Sequence, residues 1–100
     1  MIPESEIPAV TVLHDRFGVT AREARALLLL ARGGTVPYDV IRDVYCRKAD
    51  AHPYQVRHFR KKLKIKAPGI RILNNYGLGY ELAHDSLQRV REALEQGGVA

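Results

Sequence analysis

Between residues 20 and 34 the apolar positions recur at helical spacing behind a local start signal. Thr20 opens the run T-A-R-E, in which the threonine hydroxyl can accept from the Glu23 N–H while the glutamate reaches back to the Thr20 N–H. Ala24, Leu27, Leu28 and Ala31 follow at i, i+3, i+4 and i+7, which predicts a core helix stopped by Gly33-Gly34. Upstream the pattern differs. Ala9 to Leu13 alternates as a strand would, His14-Asp15-Arg16 can turn, and Phe17 to Val19 can return, so one or two short N-terminal strands are expected. Residues 1–8 hold two prolines and two glutamates without a period and are expected to form a loose arm.

Thr35-Val36 is long enough only for a bridging strand. Pro37 then opens a second helix, Tyr38 to Tyr45, with Val40, Ile41 and Val44 expected inward. A polar loop, Cys46 to Ala51, leads to a basic helix over residues 53–64. Pro53 suits its first position, where a missing N–H leaves nothing unpaired, and Val56, Phe59 and Leu63 make a narrow apolar stripe. The opposite face collects Tyr54, Arg57, His58 and Lys61, flanked by Arg60 and Lys64 on one side and by Gln55 and Lys62 on the other. After the turn Ala67-Pro68-Gly69, Ile70 to Leu73 and Gly79 to Ala83 read as two strands joined at Asn74 to Gly77. Asp85 to Gln96 reads as a last amphipathic helix with Leu87, Val90 and Leu94 on one side, Asp85 or Ser86 as its cap, and Asp85–Arg89 and Arg91–Glu95 as i,i+4 pairs.

This element order predicts an α+β fold of the winged helix-turn-helix kind. It has a three-helix core, a β-hairpin wing, short N-terminal strands and an extra C-terminal helix. The expected division is an arm over 1–8, the domain over 9–83, and the helix with its tail over 84–100.

At 100 residues the chain makes one domain, and 46% hydrophobic with 27% charged residues is an ordinary globular composition. The longest apolar run, Ala26 to Ala31, falls far short of the roughly 20 residues that cross a bilayer, and MIPESEIPAV lacks the basic and apolar regions of a signal peptide. No membrane partner or export is expected, and a cytoplasmic location fits a chain whose single Cys46 can form no intrachain disulfide.

Charge changes the picture more. Tyr45 to Tyr80 holds nine Lys or Arg against one acid, Asp50, for +8, while the remainder of the chain is at −3. A basic stripe in one third of the chain is the electrostatic footprint of nucleic-acid binding, although a merely solvated basic helix would give the same count. Enzyme chemistry finds less support. His14, His52, His58 and His84 have no metal-ligand spacing with one another or with Cys46, no Gly-rich phosphate loop is present, and His84-Asp85-Ser86 are chain neighbours that cannot face one another as a triad. No catalytic residue, metal or cofactor is expected.

Two motifs in this order carry a resemblance. Val56-Arg57-His58-Phe59-Arg60-Lys61-Lys62-Leu63 is similar to the I-x-x-L-R-x-K-L that ends the recognition helix of OmpR/PhoB-type winged-helix effector domains of bacterial response regulators. Gly77-Leu78-Gly79-Tyr80-Glu81-Leu82 is similar to their wing-closing G-x-G-Y-x-L. The likeness runs from about Thr20 to Leu82. It departs from the family in four ways: the receiver domain is expected to be absent, and with it phosphorelay control in cis; 19 residues ahead of the first helix leave room for only a strand or hairpin of the N-terminal sheet; Tyr76 stands where the wing usually has a cation; and the helix after the wing, Asp85 to Gln96, lies outside the family pattern.

The resemblance implies sequence-specific binding of double-stranded DNA on the nucleoid by a transcription regulator, with the basic helix in the major groove and the wing, about 70–82, at the minor groove. On the residues themselves, Arg57 can make a bidentate contact to guanine, Gln55 can pair with adenine, and Tyr54, His58 and Lys61 lie where groove or backbone contacts are possible. Lys62, Lys64 and Lys66 are expected on phosphates. Arg60 is expected either there or in a salt bridge to Asp39 or Asp43. Asn75 or Tyr76 is expected on the sugar-phosphate backbone, and Tyr80 in the core. Leu87, Val90 and Leu94 are expected either to form a homodimer contact, which is favoured, or to cap the core. RNA polymerase is a further partner under this reading, and the alternative is a protein-interaction adaptor that holds an acidic partner of the transcription machinery.

Overall fold

The computed structural model of the protein describes residues 4–45 and 52–98, with the side chains of all but residues 42, 45 and 52–56. Among these residues it is a small α+β fold of five α-helices and one three-stranded antiparallel sheet. The helices are α1 (Ile7–Phe17), α2 (Ala21–Leu30), α3 (Tyr38–Tyr45), α4 (His52–Lys66) and α5 (His84–Gln96). The strands are β1 (Val36–Pro37), β2 (Ile72–Asn75) and β3 (Gly79–Leu82), in the order β1-β3-β2.

The N-terminal strands are not there: Ile7 to Phe17 is helical, and residues 4–6 ahead of it form a 3-10 turn rather than a loose arm. The alternation of Ala9 to Leu13 is too short to separate a period of 2 from one of 3.6. Taken over the whole segment, Val10, Leu13 and Phe17 fall at i, i+3 and i+7, and it is this stripe that packs on the core. Gly18, at φ +67°, ends the helix in the left-handed conformation that glycine adopts without strain. His14 Nδ1 donates to the Val19 carbonyl and closes the corner into α2.

α2 starts as its sequence requires. Glu23 N donates to Thr20 Oγ1 at 3.1 Å, and Thr20 N donates to Glu23 Oε1 at 2.8 Å. Ala24, Leu27 and Ala31 are buried as expected, but so are Ala26 and Leu30 on another side. The helix lies at the centre of the molecule, with neighbours in α1, α3 and α5. In α3, Ile41 is buried and Val44 half-buried, whereas Val40, expected inward, is exposed.

The first strand of the hairpin is shifted by two residues: it starts at Ile72 rather than Ile70 and runs on past Leu73, and β3 ends at Leu82 rather than Ala83. Asn74 and Asn75 belong to β2, and Leu78 N donates to Asn75 O at 3.0 Å to close the turn, with Gly77 at φ +84° in its third position. The asparagines stay in the strand because their side chains are used there: Tyr38 Oη donates to Asn74 Oδ1 at 2.6 Å, and Asn75 Nδ2 donates to Thr35 Oγ1 at 3.1 Å. Tyr80, buried as expected, meets Tyr38 edge-on with centroids 5.1 Å apart.

α5 closes the core. Val90 is 0% exposed, Leu87 and Leu94 pack on the same cluster, and the helix lies against α1 and α2. Of the stripe Leu87, Val90 and Leu94, expected either at a dimer contact or on the core, Val90 is buried in the core and Leu87 and Leu94 are half-buried against it. The expected caps and pairs are also redistributed. Asp85 pairs with Arg71 at 3.0 Å, which holds its carboxyl below the usual carboxylate range, while Arg91 donates to Ala31 O at 3.0 Å and Arg32 O at 3.3 Å at the end of α2. Ser86 is not a cap but a buried bridge: Arg71 N donates to its Oγ at 2.8 Å, and that hydroxyl donates to Gly69 O at 3.0 Å. Ser86→Ala leaves both backbone groups without a partner, so unfolding in urea should show a loss of about 1–3 kcal/mol.

Candidate nucleic-acid interface

α4 is fixed by two side chains. Phe59 and Leu63, one turn apart, are buried in the core cluster, and Ala67 N donates to Leu63 O at 2.8 Å to extend the helical bonding past Lys66. At 100° per residue, Lys61 lies about 180° from the midpoint of Phe59 and Leu63, with Arg57 and Ile65 about 40° to either side. This face is exposed: so are Arg57, His58, Arg60, Lys61, Lys64, Ile65 and Lys66. No acid occurs between His52 and Gly69, and Arg57 to Lys66 spans about 14 Å of helix. Among the described residues, the ion pairs are Arg25–Glu6, Lys62–Glu23 and Arg71–Asp85, and Arg57, Arg60, Lys61, Lys64 and Lys66 are in none of them. Lys66 lies toward the core side, beside Gly18. The expected Arg60 bridge to Asp39 or Asp43 does not form.

Lys62 is the exception. Its Nζ donates to Glu23 Oε1 at 2.8 Å, so the side chain expected on phosphate is a strut between α4 and the capped start of α2. Burial pushes the Glu23 carboxyl up, but the Lys62 hydrogen bond and charge and the Thr20 backbone and hydroxyl outweigh it and hold the group below its ordinary value. The expected phosphate contact is replaced because a carboxylate already bonded to a helix N-terminus lies within reach of the ammonium.

Asn75 is likewise half-buried and bonded to Thr35, whereas Tyr76 at the turn is 86% exposed. Around Tyr76 the hairpin exposes Leu78 at 62% and Leu73 at 43%, and no Lys or Arg occurs between Ile72 and Leu82. Tyr54 and Gln55 lie outside the residues whose side chains are described, as does the loop Cys46 to Ala51 with Arg47 and Lys48. Ile65, 84% exposed in the cationic face, was not among the expected contacts. Its signal was a lone apolar residue off the Val56-Phe59-Leu63 stripe.

Among the described residues no three of His, Cys, Asp and Glu come together as a metal ion would need, and no helix is long and apolar enough to cross a membrane. Comparison of the chain with protein-family models, with curated proteins and with solved structures finds no match.

Proposed function

We propose that this protein is a winged-helix regulator of transcription that binds double-stranded DNA, with α4 in the major groove and the β2–β3 hairpin as the wing at the adjacent minor groove. The observation that carries the reading is the exposed side of α4, with Arg57, Lys61 and Lys64 on its outward face and Arg60 on its flank, no acid, and Phe59 and Leu63 anchoring it to the core. The order of α2, α3, α4 and the hairpin is compatible with a winged helix, and the two motifs similar to OmpR/PhoB-type domains fall on α4 and on the hairpin. Arg57 is assigned to a base edge, Arg60, Lys64 and Lys66 to phosphates, and His58 and Lys61 to either. Lys62 is left out, since it holds Glu23. The reading places the protein on the nucleoid, with RNA polymerase as a second partner.

One observation favours the other reading, a protein-binding adaptor: the hairpin tip is apolar, with Leu73, Tyr76 and Leu78 exposed and no cation to meet phosphate. Gel shifts on random duplex across a salt series separate the two. Three or four phosphate contacts, from Arg60, Lys64 and Lys66 with or without Lys61, give a slope of log K against log salt of about −3 to −4, whereas an adaptor shows no duplex binding. On a selected site, Arg57→Ala should weaken binding by about 1–3 kcal/mol and relax one base position, while Lys64→Ala should weaken all sequences alike and lower the slope by about one unit. An Arg57→Ala protein with an unchanged ratio of specific to scrambled affinity would show that α4 does not read sequence.

A further inference from the structure

Ile65 is 84% exposed although it belongs to a helix with an apolar face of its own. It stands one turn beyond Lys61 and two beyond Arg57, so these three form a ridge about 12 Å long opposite Phe59 and Leu63. Lys64 and Lys66 are its chain neighbours, and both are exposed. A partner for this spot must satisfy two demands together. It must offer apolar surface to the isoleucine, and it must offer negative charge to the lysines, because an apolar protein surface laid here would strip water from the Lys61 and Lys64 ammonium groups without compensation.

A DNA duplex meets both demands in one place. Its phosphates line the edges of the major groove, and the one apolar group that a base presents inside that groove is the C5-methyl of thymine. We propose that Ile65 reads a thymine methyl, at a base position separate from the one assigned to Arg57. The proposal rests on α4 being the groove-facing helix, and it makes that site selective for a methyl group as well as for hydrogen bonds.

The test begins with a preferred site selected from random duplex by the intact chain. Each thymine of the site is then replaced by deoxyuridine, which removes only the methyl, and affinities are measured for the wild type, Ile65→Ala and Ile65→Val. At one position the change should weaken the wild type by about three- to tenfold, as expected for loss of one buried methyl contact. Ile65→Ala should bind the thymine site weakly by a similar factor and be indifferent to the uracil at that position, while Ile65→Val should keep most of the preference. The side chain is exposed, so thermal unfolding of both variants should match the wild type. The proposal is overturned if no uracil substitution affects the wild type, or if its effect persists in full in Ile65→Ala. If even the unmodified duplex is not bound, the assignment of α4 to DNA is what fails, and the methyl contact falls with it.

Discussion

Replacing Gly79 by alanine is expected to destabilise the domain by about 3 kcal/mol or more, the upper end of what overpacking does. Gly79 begins β3 between Pro37 of β1 and Asn75 of β2, and its φ is not positive, so backbone freedom is not what the position needs. It needs space: a Cβ there would stand 1.9 Å from Val36 O, 2.6 Å from Val36 C and 2.9 Å from Pro37 Cα. These are backbone atoms and cannot rotate away. β1 must move, and the buried Val36 and the edge-on Tyr38–Tyr80 packing move with it. Gly77, two residues earlier in the same G-x-G-Y, has the opposite need, with φ +84° and nothing within 4 Å of a Cβ, so Gly77→Ala should cost only the left-handed strain of about 1–2 kcal/mol. Urea midpoints of the two variants decide the matter; equal, small losses would mean that β1 does not approach β3 this closely in solution.

Glu23→Ala should lower stability by about 2–4 kcal/mol, since it removes half of the capping box and the partner of Lys62 in one step. The effect carries a pH signature. The Glu23 carboxyl is held below its ordinary value of 4.5, so its contribution is complete above that value and is lost as pH falls through the lower folded value. The wild type should therefore weaken on acidification below about pH 4.5, and Glu23→Gln should show a shallower loss over the same range. Unfolding curves from neutral to acid pH measure both, and parallel pH profiles for the two proteins would remove Glu23 from the account.

What could be read along the chain was what is local. Thr20 and Glu23 are three residues apart and make both bonds of the capping box, and Phe59 and Leu63 face the core as their spacing requires. Ala9 to Leu13 misled because five residues rich in β-branched side chains fit either period, and only Phe17 and Gly18 further on decide for a helix. Amphipathicity tells that Leu87, Val90 and Leu94 share one side of their helix but not what they meet, since the surfaces that α5 packs on, α1 and α2, lie more than 50 residues away in the chain. Nothing near Lys62 marks it as a strut, because its partner lies 39 positions away in the chain. In the candidate site, the charge of α4 was legible from composition, but its division into outward cations and an inward ion pair depends on where α2 starts.

The packing of α5 on α1 bears on how the protein is made. Val10 and Leu13 share their core with Val90, so a chain leaving the ribosome has its early helices finished long before the side chains that cover them exist. Contacts this far apart in sequence close slowly, and until they close the leucines of α2 are open to other chains. Ending the chain at Ala83 removes Val90 and the Arg91 bonds to Ala31 and Arg32. Such a fragment resembles the nascent state rather than a smaller domain, and aggregation during synthesis is the failure to watch for in variants of the last helix.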